Sequence, residues 1–286
     1  RWRPLFLVLC AEMVQNNTDS TLPYQLTPLV EFVHTASLIH DDIEDSADTR
    51  RGQPATHITY GLDTAINAGS WLYFQAFGAI SKLPLKAELK NLLFETTATE
   101  LRRLHLGQAM DIEWHNHNTK VPSSQEYLAM VRMKTGTLAS LAGKIGIIGG
   151  GGTKDQADRL GIIAADIGVG FQILDDIINL TTGNVGKKRG DDIVEGKKSL
   201  PILLHLQENP NDFDIIMSCF SRARKEGIES PAVEECILLI EKGNALSKAK
   251  NMASSLITQS CNEIVNTYGD NEYTKRITTL FTNMLS

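Results

Sequence analysis

The chain predicts an all-α fold: a single-domain helical bundle around a deep central cavity. Three observations carry that expectation. Apolar residues recur with a 3.6-residue period through most of the 286 residues, while the alternating β-branched runs that mark strands are weak. No Pro-, Ser- or charge-rich stretch divides the chain, so residues 1–286 read as one domain. Two acidic clusters, at 41–45 and 175–179, each follow an apolar helical run, and in a bundle two such faces can oppose each other across one space.

Residues 1–14 read as a helix starting near Pro4, with Leu5, Leu9 and Met13 in its apolar stripe. Its opening RWRP is abrupt, as though residues upstream were missing. Residues 26–45 form a long amphipathic helix with Leu29, Phe32, Val33, Ala36 and Ile39 inward. Residues 61–80 are apolar and aromatic and could line an interface or the core, core being the default for any one of Trp71, Tyr73, Phe74 and Phe77. Residues 88–114 form another long helix, in which His105, Gln108 and Asp111 make a polar stripe that needs hydrogen-bond partners. His115 and His117 alternate just beyond it and read as a solvated loop. The glycine run 149–152 reads as a helix-ending turn, because no strand precedes it. From Asn209 onward the helices are ordinary amphipathic ones, broken by polar turns near Asn209 and 268–271.

The densest chemistry lies in residues 37–57, SLIHDDIEDSADTRRGQPATH. Asp41 and Asp45 are four apart on a helix, so both project into one space, with Asp42 between them. Like charges so placed need a cation. Such hard oxygen ligands suit Mg²⁺, which keeps several waters and bridges carboxylates to a substrate phosphate. Arg50 and Arg51 follow, with forked, permanently charged groups that grip phosphate oxygens. Asp175, Asp176 and Asn179 in GFQILDDIINL repeat the arrangement. Together these residues point to a diphosphate ligand.

A net charge of -6 lacks the basic footprint of a nucleic-acid binder. The four cysteines, Cys10, Cys219, Cys236 and Cys261, are scattered, as befits buried thiols in a reducing compartment. No apolar run reaches the roughly 18 residues that a membrane span needs, and no signal peptide opens the sequence, so a cytoplasmic protein is expected.

The motifs DDIED, TRRGQPATH, ELRRLHLGQAMDIEW, MVRMKTGTLASLAGK, FQILDDIINL and GDDIVEGKKSLPIL, in that order, resemble the polyprenyl synthetase family of trans-isoprenyl diphosphate synthases, most closely its geranylgeranyl branch. The resemblance implies the isoprenoid synthase fold, a homodimer, and about three Mg²⁺ ions per site. It implies a prenyltransferase of isoprenoid biosynthesis that joins isopentenyl diphosphate to an allylic diphosphate (dimethylallyl, geranyl or farnesyl). It assigns Arg3, His34 and Arg51 to isopentenyl diphosphate. Arg50, Lys134, Thr135, Lys187 and Lys197 fall to the allylic diphosphate, with Phe171 and Gln172 facing the allylic group. Asp41, Asp42, Asp45, Asp175, Asp176 and Asn179 become the metal ligands. Asn179 departs from the commoner third aspartate, keeping an oxygen ligand with one charge fewer.

The small Ala36 and Ser37 on the turn before Asp41 argue against a C15 stop. A deeper plug, from His105 or an aromatic of 71–77, would end growth at C20, with C25 or longer open. Two rivals remain. A class I terpene cyclase shares the ionisation, but its usual second motif is absent; a non-catalytic subunit should have lost acidic residues, and both clusters are intact.

Overall fold

A computed structural model describes residues 2–14, 20–116, 121–183 and 189–285. The helices are α1 (Trp2–Val14), α2 (Leu22–Glu44), α3 (Thr56–Tyr60), α4 (Leu62–Ser81), α5 (Ala87–Asn116), α6 (Ser124–Val131), α7 (Thr137–Gly149) and α8 (Lys154–Thr181). They continue as α9 (Asp191–Glu195), α10 (Leu200–Glu208), α11 (Phe213–Glu226), α12 (Pro231–Glu241), α13 (Ala245–Tyr268) and α14 (Glu272–Thr282). Among the described residues the only sheet is a two-residue antiparallel hairpin, β1 (Thr49–Arg50) and β2 (Gln53–Pro54), so the all-α expectation holds.

Local chemistry sets the boundaries. Reciprocal capping boxes start α6 (Ser123 and Glu126), α8 (Thr153 and Gln156) and α14 (Asn271 and Thr274), each satisfying otherwise orphaned N–H groups. Proline in the first turn opens α2, α10 and α12. Pro28 inside α2 has no N–H for the Tyr24 carbonyl; the Thr27 hydroxyl donates to that carbonyl instead, at 2.8 Å.

All thirteen residues of α7 are buried. Around it α1, α2, α5, α8, α13 and α14 form the main core, with Phe6, Leu29, Leu141, Ile145 and Phe281 wholly enclosed. Two smaller apolar clusters sit under α9–α12 and between α6, α8, α10 and α13. The four cysteines are buried and free.

Three sequence expectations need correction. The first helix starts at Trp2 and turns Leu5 outward, at 48% exposure, because its continuous apolar run buries Phe6 to Ala11 instead. α5 runs on through Asn116, which places His115 on a helix one turn after Asp111 rather than in a solvated loop. Trp71 and Phe74, for which core is the default over an interface, are 56% and 73% exposed, since α4 packs its opposite face on α2. His117 lies outside the described residues.

The core between α5 and α7 contains a buried charge pair. Glu100 on α5 is wholly enclosed, and Lys144 on α7 reaches it at 3.0 Å and Asp158 at 2.9 Å. Removing one partner of a buried pair leaves the other desolvated and uncompensated. Lys144→Met is therefore expected to cost about 3–5 kcal/mol in denaturant unfolding, and Glu100→Gln added to it to restore part of the loss.

Candidate active site

A cavity of about 450 Å³ opens between α2, α4, α5, α8 and the α9–α10 corner. From α2 it takes His34, Ser37, Asp41 and Glu44, with Asp45 just past its C-terminus. Asp175 and Gln172 enter from α8, so the structure brings carboxylates of both acidic clusters to one void. Arg3, Arg50, Arg51, Lys134, Thr135 and Lys197 line it as well. Sequence-predicted Lys187 lies outside the described residues.

The two arginines are presented by the hairpin. Arg51 and Gly52 form its turn with φ of 54° and 74°, a left-handed conformation that costs a non-glycine residue free energy and that surrounding structure must hold. Arg50 projects back along α2, donating from Nε to Asp42 Oδ1 at 2.7 Å. Burial opposes the Arg50 charge, but Asp42, with Asp41 and Asp45, outweighs it and raises the pKa.

Three expected metal ligands are placed otherwise. Adjacent helical residues point about 100° apart, and here Asp41 faces the cavity while Asp42 turns away from it. Asp42 is 2% exposed and holds Arg50. Asp176 is wholly buried and accepts from the Tyr127 hydroxyl, from Gln172 Nε2 at 3.0 Å and from Lys197 Nζ at 3.0 Å. Asn179 Oδ1 accepts from the Asp192 N–H at 3.2 Å, capping α9. These side chains orient the cations and the loop rather than facing the void.

Lys134 and Thr135 sit in a π-helical turn, Arg132–Gly136, an irregularity common at functional sites. Lys134 Nζ donates to Asp111 at 2.5 Å, and Thr135 Oγ1 to Gln172 Oε1 at 2.8 Å. Burial works against the Lys134 ammonium, yet Asp111, Asp41 and Asp45 prevail and raise its pKa. Burial likewise pushes Asp111 up, but Lys134 and then His115 hold it well below the usual carboxylate range. The turn approaches α5 so closely that a Cβ on Gly107 would stand 2.4 Å from the Lys134 backbone nitrogen. Gly107→Ala must displace that turn, and turnover at this site should lose about 10²-fold in kcat/KM, as a misplacement near 1 Å does.

At the opposite wall Arg3 Nη1 donates to His34 Nε2 at 3.3 Å, and its guanidinium lies 4.5 Å from the Trp2 ring. Burial lowers the Arg3 pKa to about 10, Glu31 opposing and Arg51 adding to the effect. Its Nε is buried without a hydrogen bond among the described residues.

Asp41 is the acid most out of balance. Burial raises its pKa to about 6; Lys134 pulls it down, while Asp45 and Glu44 push it up. A cation between these carboxylates would relieve that cost. Among the described residues no three His, Cys, Asp or Glu side chains close into a preformed metal cage. The open set fits Mg²⁺, which completes its shell with waters and phosphate oxygens.

Apolar and aromatic residues also line the cavity. Of the aromatics at 71–77, Tyr73 reaches the cavity, its ring 4.9 Å from His105 and 5.8 Å from His40. Ser37 lines the same cavity, whereas Ala36 is sealed in the core. Sequence reasoning missed His40, Glu44, Tyr127 and Glu195 as lining residues, along with His115. Only Glu44 carried a signal, standing three residues from Asp41 on the same face.

A family model described as polyprenyl synthetase matches residues 1–237. A geranylgeranyl diphosphate synthase of Methanosarcina mazei is 35% identical over 264 residues, covering 91% of this chain and 77% of the relative. A geranylfarnesyl diphosphate synthase of Natronomonas pharaonis is 32% identical over 274 residues, covering 90% and 77%. The crystal structure of geranylgeranyl pyrophosphate synthetase from Pyrococcus horikoshii Ot3 superposes with a TM-score of 0.87 at 28% identity, over 99% of this chain and 85% of that one.

Proposed function

The chain belongs to the polyprenyl synthetase family, and from that premise we propose that it joins isopentenyl diphosphate to an allylic diphosphate to build an all-trans polyprenyl diphosphate, geranylgeranyl diphosphate (C20) being the favoured product. It is a prenyltransferase. The observation that carries the site assignment is the meeting of Asp41, Asp45 and Asp175 with five cationic side chains around one cavity.

Asp41, Asp45 and Asp175 would hold Mg²⁺, about three ions in the family pattern, which when bound neutralises charge on the departing diphosphate. Arg50, Lys134 and Lys197 face the same diphosphate and stabilise that charge as the allylic C–O bond breaks. The cavity must then protect an allylic cation from water. Phe171, Tyr73 and Leu138 supply apolar and aromatic walls, and the ring faces favour positive charge. Arg3, His34 and Arg51 anchor isopentenyl diphosphate on the other wall, so that its double bond meets the cation. The proton lost afterwards goes to the released diphosphate, and no side chain is required as a dedicated base.

The C20 reading rests on the small Ser37 lining the cavity and on the paired Tyr73 and His105 rings as the side chains that would stop the growing chain. The exposed Trp71 and Phe74 on α4 support a homodimer through that face. The reading takes residues 1–286 as one catalytic domain. Among the described residues no helix is long and apolar enough to cross a membrane.

The test is mass spectrometry of the products formed with Mg²⁺, isopentenyl diphosphate and each of the dimethylallyl, geranyl and farnesyl diphosphates. Geranylgeranyl diphosphate as the terminal product is expected, and Tyr73→Ala should lengthen it. A cyclic hydrocarbon from geranylgeranyl diphosphate alone would favour a cyclase instead.

A further inference from the structure

Lys197 and Lys198 are consecutive but point to opposite sides of the α9–α10 corner. Lys197 lines the cavity between Asp176 at 3.0 Å and Asp192 at 3.4 Å. Lys198 turns away, is only 3% exposed, and donates its Nζ to the Trp114 carbonyl in the last turn of α5. The next α5 carbonyl, His115, accepts from Arg224 Nη2 at 3.1 Å, and the same nitrogen donates to the Glu195 carbonyl. Two cations from different segments thus take two carbonyls at the negative end of one helix.

The corner is built around this contact. Gly196 has φ of 76°, and a Cβ there would stand 2.8 Å from Arg224 Nη2, so a side chain would collide with the guanidinium. The Phe220 ring of α11 lies 5.8 Å from Lys198 Nζ and shields it. The helix end so held also carries Asp111, the partner of Lys134. A single clasp therefore fixes Lys197 relative to Lys134.

We propose that Lys198 and Arg224 are positioning residues that clasp the α5 C-terminus and thereby hold Lys197 at the diphosphate position. The inference rests on the reading of Lys197 as a diphosphate-facing group. Neither residue touches the cavity, so their effect is on placement and not on charge within it.

The test uses Mg²⁺ with inorganic pyrophosphate as the probe, titrated calorimetrically into the full chain and into Lys198→Met, Arg224→Met and Arg224→Lys. Both methionine variants should weaken binding at least tenfold, and Arg224→Lys, which retains a cation with several donors, should recover most of it. In steady-state assays KM for the allylic diphosphate should rise while KM for isopentenyl diphosphate stays within twofold. Lys198→Met removes a buried group and can unfold the chain, so Arg224→Met, at an exposed position, carries the decision. A folded Arg224→Met with unchanged pyrophosphate affinity overturns the clasp, as does an equal rise in both KM values. The calorimetry needs no turnover: a wild type that binds pyrophosphate but makes no prenyl product defeats the proposed reaction while leaving the clasp measurable.

Discussion

Replacing Asp41 with asparagine is expected to lower kcat by about 10³-fold while making the metal-free protein more stable, a pair of opposite changes that an ordinary structural aspartate would not give. Its carboxyl is pushed from 3.8 to about 6 by burial and by Asp45 and Glu44. Between those pH values the folded chain keeps a proton that the unfolded chain has released, so stability falls as pH rises through this window. Above about pH 6 the full penalty is present. A shift of this size corresponds to at most about 3 kcal/mol, and the solvent that reaches the cavity reduces it to about 1–2 kcal/mol. The Asp41→Asn variant would be free of that cost and, with it, of most of the stabilisation that Mg²⁺ gives the wild type. Thermal unfolding with and without Mg²⁺ at pH 5 and pH 8 reads both effects. A variant less stable than wild type at pH 8 without metal would show that Asp41 is satisfied by the protein itself.

The adjacent residues Asp175 and Asp176 should separate just as sharply. Asp175 lines the cavity, and Asp175→Asn is expected to cost about 10²–10³-fold in kcat while destabilising the fold less than Asp176→Asn. Asp176 lies at 0% exposure among the Tyr127 hydroxyl, Gln172 and Lys197. Burial disfavours the Lys197 ammonium, but Asp176 and then Asp192 and Asp111 outweigh this and raise its pKa well above the ordinary value. Asp176→Asn removes that compensation, so a loss of about 3–5 kcal/mol is expected, accompanied by lost activity. Denaturant melts of the two variants side by side check this. Equal destabilisation of both would mean that Asp176 does not hold the network.

Much of this site could be read from the residues alone, because a helix converts spacing into direction. The separation of Asp41 and Asp45 put both on one face, and the Phe171–Gln172 pair before the second cluster led into the same void. That geometry does not decide which of two neighbouring aspartates enters the void, since Phe171 and Gln172 both line it while Asp42 and Asp176 are buried away from it. Other features depended on tertiary contact. Nothing local marks Tyr127 as the partner of Asp176, 49 residues away, or Arg224 as the partner of His115, 109 residues away. His115 looked like loop because its neighbours are polar, but Asp111 one turn earlier gives it a charged partner on the helix. Trp71 and Phe74 show the converse: the aromatic pattern suggested core, and which face α4 would bury was set by α2.

The most direct measurement is a crystal structure of the protein with Mg²⁺ and an allylic thiolodiphosphate, whose carbon–sulfur bond resists ionisation. Metal ions bridging the diphosphate to Asp41 and Asp45 on one side and to Asp175 on the other are the expected result, with Arg50, Lys134 and Lys197 on its oxygens and Asp42, Asp176 and Asn179 still bound to their protein partners. Metal on Asp42 or Asp176, or a diphosphate seated away from Asp175, would contradict the account.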